Sequence, residues 1–100
     1  MSLDTIESKM KARLMDLNGL GARIKFVVED EGVLMLDGKA LPPVLSREDG
    51  EAETTITMTA DNLAKLIDGE LNPTIAYTLG KLKVQGSVGY ALKLSSMLED

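Results

Sequence analysis

Residues 81–98, KLKVQGSVGYALKLSSML, change their period half-way. Lys81 to Gln85 alternate polar and apolar side chains, the two-residue repeat of a strand covered on one face. Gly86-Ser87 breaks that repeat, and Ser87 can cap a helix starting at Val88. Val88, Tyr90, Ala91, Leu92, Leu94, Met97 and Leu98 spread around most of a helical wheel. Only Lys93, Ser95 and Ser96 are left as a thin polar edge. A helix laid on a sheet needs an apolar stripe only somewhat wider than ~100°. The surplus calls for a cover, and three are open to it: other helices, a partner subunit or a ligand chain.

Working back towards the N-terminus, Asn72-Pro73 is a cap followed by proline at the first helical position, opening a short helix with Ile75, Ala76 and Leu79 that Gly80 closes. Thr59 caps a helix with Asp61 in its first turn, the stripe Leu63, Leu66 and Ile67, and Gly69 at its end. Thr54 to Thr59 alternates, Ile56 and Met58 facing one way. Arg47 to Glu53 is dense in charge and reads as an exposed loop. Pro42-Pro43 suits a sheet edge, with Val44-Leu45 a short strand. Val33-Leu34-Met35-Leu36 is apolar on both faces, so it is covered on both sides or lies beside a cavity. Ile24, Phe26 and Val28 alternate with Arg23, Lys25 and Glu29, and the break Glu29–Gly32 fits a hairpin turn. Leu3, Ile6, Met10, Leu14 and Leu17 recur at helical spacing, stopped by Asn18-Gly19. The first half is thus expected to be a meander of about four antiparallel strands. The whole, residues 1–100, reads as one α+β domain.

Composition narrows the function. The chain has 100 residues, 44% of them hydrophobic, with six Met, three aromatics and no Trp. Such a core is aliphatic and adaptable. The net charge is −5 and no basic patch dominates, which argues against nucleic acid. There is no Cys, hence no disulfide or thiolate zinc site, and a reducing cytoplasm is compatible. There is no His either, so the commonest general base and metal ligand are both missing. No catalytic residue, metal or cofactor is expected. Met1-Ser2-Leu3-Asp4 opens with an acid and shows no signal peptide. No apolar run approaches ~18 residues, so stable membrane insertion is not expected.

The remaining polar groups each have a plain structural reading. Lys81 and Lys83 fit the solvated face of a strand, although with Lys93 they could meet an acidic head group. Arg23 and Lys25 stand at a strand start, and the arginine fork better suits a carboxylate. Glu48, Asp49, Glu51 and Glu53 lack the spacing of a calcium loop. Tyr77 or Tyr90 beside a neutral carboxyl could run proton transfer next to a carbonyl, with Asp37 or Asp61 as the acid; nothing in their spacing argues for it.

The segment from Leu71-Asn72-Pro73 through Tyr77, Gly80-Lys81-Leu82-Lys83-Val84-Gln85-Gly86 and Gly89-Tyr90-Ala91-Leu92-Lys93-Leu94 resembles the C-terminal signature of the sterol carrier protein 2 family. Ala52 to Gly69 resembles the strand and helix that precede it there. This resemblance implies a twisted, mostly antiparallel sheet of about five strands, covered on one face by helices. It also implies a tunnel between sheet and helices for fatty acid, acyl-CoA, sterol, isoprenoid or another aliphatic lipid, transferred or presented without catalysis. Tyr77 stands where the family usually has Phe, which implies an added hydroxyl at the tunnel margin. Periodicity and resemblance together nominate Phe26, Met35, Met58, Leu66, Ile75, Leu79, Tyr90, Leu94 and Met97 as lining, and Arg23 as the head-group contact. The ending Leu98-Glu99-Asp100 lacks a peroxisomal tripeptide, so the expectation is a free-standing, bacterial-type cytoplasmic member. The alternative is an accessory or adaptor protein whose last helix covers a partner or a second copy in a homodimer.

Overall fold

The alternating segments pair as their polarity demands. Arg23–Val28 forms β1 and Gly32–Asp37 returns antiparallel as β2, with Arg23 opposite Asp37 and Val28 opposite Gly32. Val44–Ser46, β3, lies antiparallel on the outer side of β2. Thr54–Met58, β4, runs parallel to β1, and Leu82–Gly86, β5, pairs antiparallel with β4. The sheet order is β3-β2-β1-β4-β5. The computed structural model describes residues 1–98; Glu99-Asp100, on which the targeting-tripeptide expectation falls, lies outside the described residues.

One expectation is corrected. β4 does not extend the meander beyond β3 but crosses back to the far side of β1. From β3 to β4 is three strand spacings, ~14 Å, and a seven-residue segment reaches ~23 Å, so the charged stretch 47–53 crosses with slack. It passes over the face opposite the helices, where Lys25 Nζ donates to Asp49 Oδ1 at 2.9 Å. Arg47 holds its start, donating to Asp4 and Glu7 of the first helix. This crossing explains the two-sided strand: Leu34 and Leu36 face the helices, while Met35, also buried, borders a hollow on the other face with Ser46, Glu48, Gly50 and Glu51.

The helix-side face consists of Ile24, Phe26, Val28, Leu34, Leu36, Ile56 and Met58, all buried. Leu3–Ala12, α1, is capped by Ser2, whose Oγ accepts from the Thr5 N–H, and lays Ile6 and Met10 into the core. The apolar repeat runs on to Leu17 through a 3-10 turn, Leu14–Leu17, and not as one continuous helix. Arg13, at the start of that turn, reaches across: its Nη1 donates to the Ile67 carbonyl at 2.6 Å and its Nη2 to the Leu98 carbonyl at 3.0 Å. These are C-terminal carbonyls of α2, Ala60–Ile67, and α4, Val88–Leu98, so one cation serves two helix ends. Between them α3, Pro73–Thr78, starts at Asn72, whose Oδ1 accepts from Thr74 and Ile75 N–H groups.

Glu53 is the joint of the crossing. Its N–H donates to the Arg23 carbonyl at 3.1 Å, and its own carbonyl accepts from the Ser87 N–H at 3.1 Å. Its carboxylate accepts from the Arg23 N–H at 2.7 Å and pairs with Lys39. Gly86 sits at φ 89° directly against it, and a Cβ there would stand 2.3 Å from the Glu53 carbonyl oxygen. Gly19 has a similar φ of 86° but open space around it. Gly86→Ala is therefore expected to destabilise well beyond the ~1–2 kcal/mol of left-handed strain that Gly19→Ala carries, as urea midpoints would show. The hydrogen bond from Lys39, then that from the Arg23 backbone, holds the Glu53 carboxyl at about 2, below its ordinary 4.5. The unfolded chain binds this proton first, so the group stabilises fully above pH 4.5 and less as pH falls towards 2. Glu53→Gln is expected to flatten that part of a stability-versus-pH profile.

Candidate ligand groove

Helix α4 divides its apolar residues between two tasks. Ala91, Leu94, Ser95 and Leu98, at helical spacing, face inward and are buried. Val88 and Leu92 are left half-exposed, Leu92 at 49%. Helix α3 does not close over them. Only Ala76 of that helix is buried, while Ile75, Tyr77 and the following Leu79 are exposed.

The gap between α3 and α4 is a groove of about 180 Å³. Its floor is Ile56 on β4 with Leu82 and Val84 on β5. Val88, Ala91, Leu92 and Ser95 form one wall, Pro73, Thr74 and Tyr77 the other, and Leu66 of α2 closes the inner end. Ala91 gives the groove its depth, since a methyl stands where larger side chains flank it. A second, more polar hollow of about 350 Å³ shares Leu66, Pro73 and Ser95 and adds Gly69, Glu70, Leu71 and Asn72. The two hollows therefore adjoin at Leu66, Pro73 and Ser95, an apolar groove beside a polar vestibule.

Of the nine nominated lining residues, Leu66 borders this space. Phe26, Met58 and Leu94 lie fully packed in the core beneath it, and Tyr90 and Met97 pack partly buried against that core. Ile75 and Leu79 point outward from the α3 region, Leu79 at 64% exposure. Met35 is on the opposite face of the sheet, because residues paired with Lys25 cannot share a face with those paired with Phe26. The same alternation carries Arg23, the nominated head-group contact, away from the groove, where its Nε lies 3.5 Å from Asp37 Oδ2. The strand residues Ile56, Leu82 and Val84 read in the sequence as ordinary core, and periodicity does not single them out. Ser95 escapes notice because a serine between Leu94 and Ser96 reads as solvated. The tyrosine–carboxyl arrangement for proton transfer does not assemble: Tyr77 lines the groove, but Asp37 is paired with Arg23 and Asp61 is exposed. Among the described residues no cluster of three His, Cys, Asp or Glu could hold a metal, and no helix is long and apolar enough to cross a membrane.

A family model described as the SCP-2 sterol transfer family matches residues 3–99. The chain belongs to the SCP-2 sterol transfer family. Among its relatives, sterol carrier protein 2 of Bos taurus is 43% identical over 54 residues, covering 54% of this chain and 10% of that protein. Hydroxysteroid dehydrogenase-like protein 2 of Pongo abelii is 29% identical over 100 residues, covering 98% of this chain and 22% of that protein. The chain therefore spans less than a quarter of either curated relative. A solution structure of sterol carrier protein 2 from Aedes aegypti in complex with palmitate superimposes with a TM-score of 0.72 at 26% identity, covering 98% of this chain and 96% of that one. The SCP-2 fold, an α+β layer with a mostly antiparallel sheet, is thus the scaffold on which the groove is built.

The groove walls differ in what they give the fold. Leu66→Ala, at a buried position, is expected to cost about 2–5 kcal/mol of stability. Leu92→Ser, on the half-exposed rim, is expected to stay within about 0.5 kcal/mol. Chemical denaturation of the two variants checks this division.

Proposed function

We propose that this chain is a non-catalytic lipid carrier, in which residues 1–100 act as one unit and a single aliphatic guest lies between α3, α4 and the β4–β5 floor. The observation that carries the reading is the groove itself: an almost wholly apolar concavity that adjoins a polar vestibule at Leu66, Pro73 and Ser95. Ligand sites are concave and mostly apolar with a few polar groups, at about 300–1,000 Å³. The apolar part alone resembles in size an engineered cavity of roughly 150 Å³ that takes up benzene. The adjoining vestibule offers the polar end of a longer amphiphile a place beside it. Each methylene buried contributes about 0.8 kcal/mol, so a dozen give on the order of 10 kcal/mol before the ordering costs of association.

The relative from Aedes aegypti, whose structure is a complex with palmitate, supports an acyl guest, and fatty acid, acyl-CoA and isoprenoid chains all meet the apolar requirement. A cytoplasmic site of action agrees with the absence of cysteine. A second reading, in which α4 covers a partner or a second copy, would be favoured by a flat apolar face. The concavity made by Ala91 favours a chain.

Ala91→Phe fills the groove from the α4 side. It is expected to reduce uptake of a neutral solvatochromic dye at least tenfold while circular dichroism keeps the helical signal. Organic extraction of the purified protein followed by mass spectrometry should return an aliphatic lipid. Absence of any extracted lipid, together with dye uptake unchanged by Ala91→Phe, overturns the carrier reading.

A further inference from the structure

The vestibule has a composition of its own. Ser95 is only 6% exposed and borders both the apolar groove and the vestibule. No side-chain oxygen among the described residues is sealed off without a partner, so its hydroxyl, which bonds no described residue, is open to that space. Thr78, by contrast, satisfies its hydroxyl on the Thr74 carbonyl at 3.0 Å. Buried hydroxyls are ordinarily paired, and a serine can both donate and accept. Ser95 is thus a hydrogen-bonding group held at the junction of oily and polar space. Asn72, whose Oδ1 caps α3, also lines the vestibule.

Charge at this end has one sign. Glu70 lines the vestibule and makes no ion pair among the described residues, and no Lys or Arg lines either hollow. Glu70, Gly69 and Asn72 are exposed, so an end group placed here keeps part of its water; an anionic one finds no cation and meets a carboxylate of like charge. An uncharged hydroxyl would lose less water and gain Ser95 as donor and acceptor.

We infer that Ser95 and Glu70 select the polar end of the guest, favouring an uncharged lipid alcohol over a free carboxylate of the same chain length. This rests on the carrier reading and narrows it to a class of ligand. Ser95 makes the positive contact and Glu70 supplies the discrimination against acids.

Displacement of Nile red by tetradecan-1-ol and by myristate, at pH 8 on the full chain, tests both parts. The alcohol is expected to displace the dye at a concentration at least tenfold lower than the acid. Glu70→Gln should narrow that gap and Glu70→Lys should reverse it. Ser95→Ala should weaken the alcohol about 2- to 10-fold, the range of one hydrogen bond. Equal or stronger displacement by myristate from the unmodified chain overturns the inference, as does an alcohol-to-acid ratio that Glu70→Lys leaves unmoved. A Ser95→Ala chain that binds the alcohol unchanged removes Ser95 from the selection. If neither amphiphile displaces bound dye, the carrier reading itself falls and the selection falls with it.

Discussion

Everything functional in this molecule follows from α4 having more apolar surface than the sheet can take. Leu94 and Leu98 satisfy the sheet and the neighbouring helices completely. Val88 and Leu92, displaced around the same helix, have only α3 to turn to, and α3 is too short and too far off to cover them. A large aliphatic side chain moved from water to full burial is worth about 1.5–3 kcal/mol. That unrealised burial is an affinity for any guest that completes it. The groove is therefore not a defect in packing. It is the part of the core that, on the proposed function, a guest completes.

A helix asked to hold an incomplete core needs its position fixed by something other than that core. Here the fixing is polar. At its N-terminal end, the Ser87 N–H donates to the Glu53 carbonyl and the Thr54 hydroxyl donates to the Ser87 carbonyl at 2.8 Å. At its C-terminal end the Leu98 carbonyl accepts from Arg13. Gly86 permits the close approach at the first of these points, since no side chain fits between its backbone and Glu53. The crossing segment that ends at Glu53 is what brings β4, and with it the groove floor, to the side of β1 away from β2.

The elements are legible in the sequence because each is punctuated locally. Asn72-Pro73, Thr59 and Ser2 announce helix starts, and Gly69 and Gly80 announce ends, so period and punctuation agree along the chain. What is not legible is what depends on pairing across distance. Nothing within Thr54–Met58 says that it lies parallel to β1, because the alternation is the same in either direction. Sequence reasoning assigns Met35 and Arg23 to the ligand space, although strand parity sends both to the other face. Leu66 is legible as part of a helical stripe, whereas Ile56, Leu82 and Val84 look like any core strand residue until a gap is seen above them. Ser95 reads as surface in a helix that carries Ser95-Ser96, and only burial distinguishes the two. The resemblance named the fold and the presence of a lipid space; it did not locate the groove between α3 and α4.

The pinning of α4 at both ends has a kinetic meaning. If neither end of that helix can swing, the wall that yields when a guest comes or goes is α3, six residues held by an asparagine cap and one buried alanine. Segments with so few buried contacts open at the low end of the local free-energy range, and helix–coil relaxation takes only about 0.1–1 μs. The gate is then fast compared with the escape of a long chain. On the proposed carrier function, the dwell time of a guest would be set by how many methylenes it must bring back into water, and chain length would be discriminated through release and not through capture.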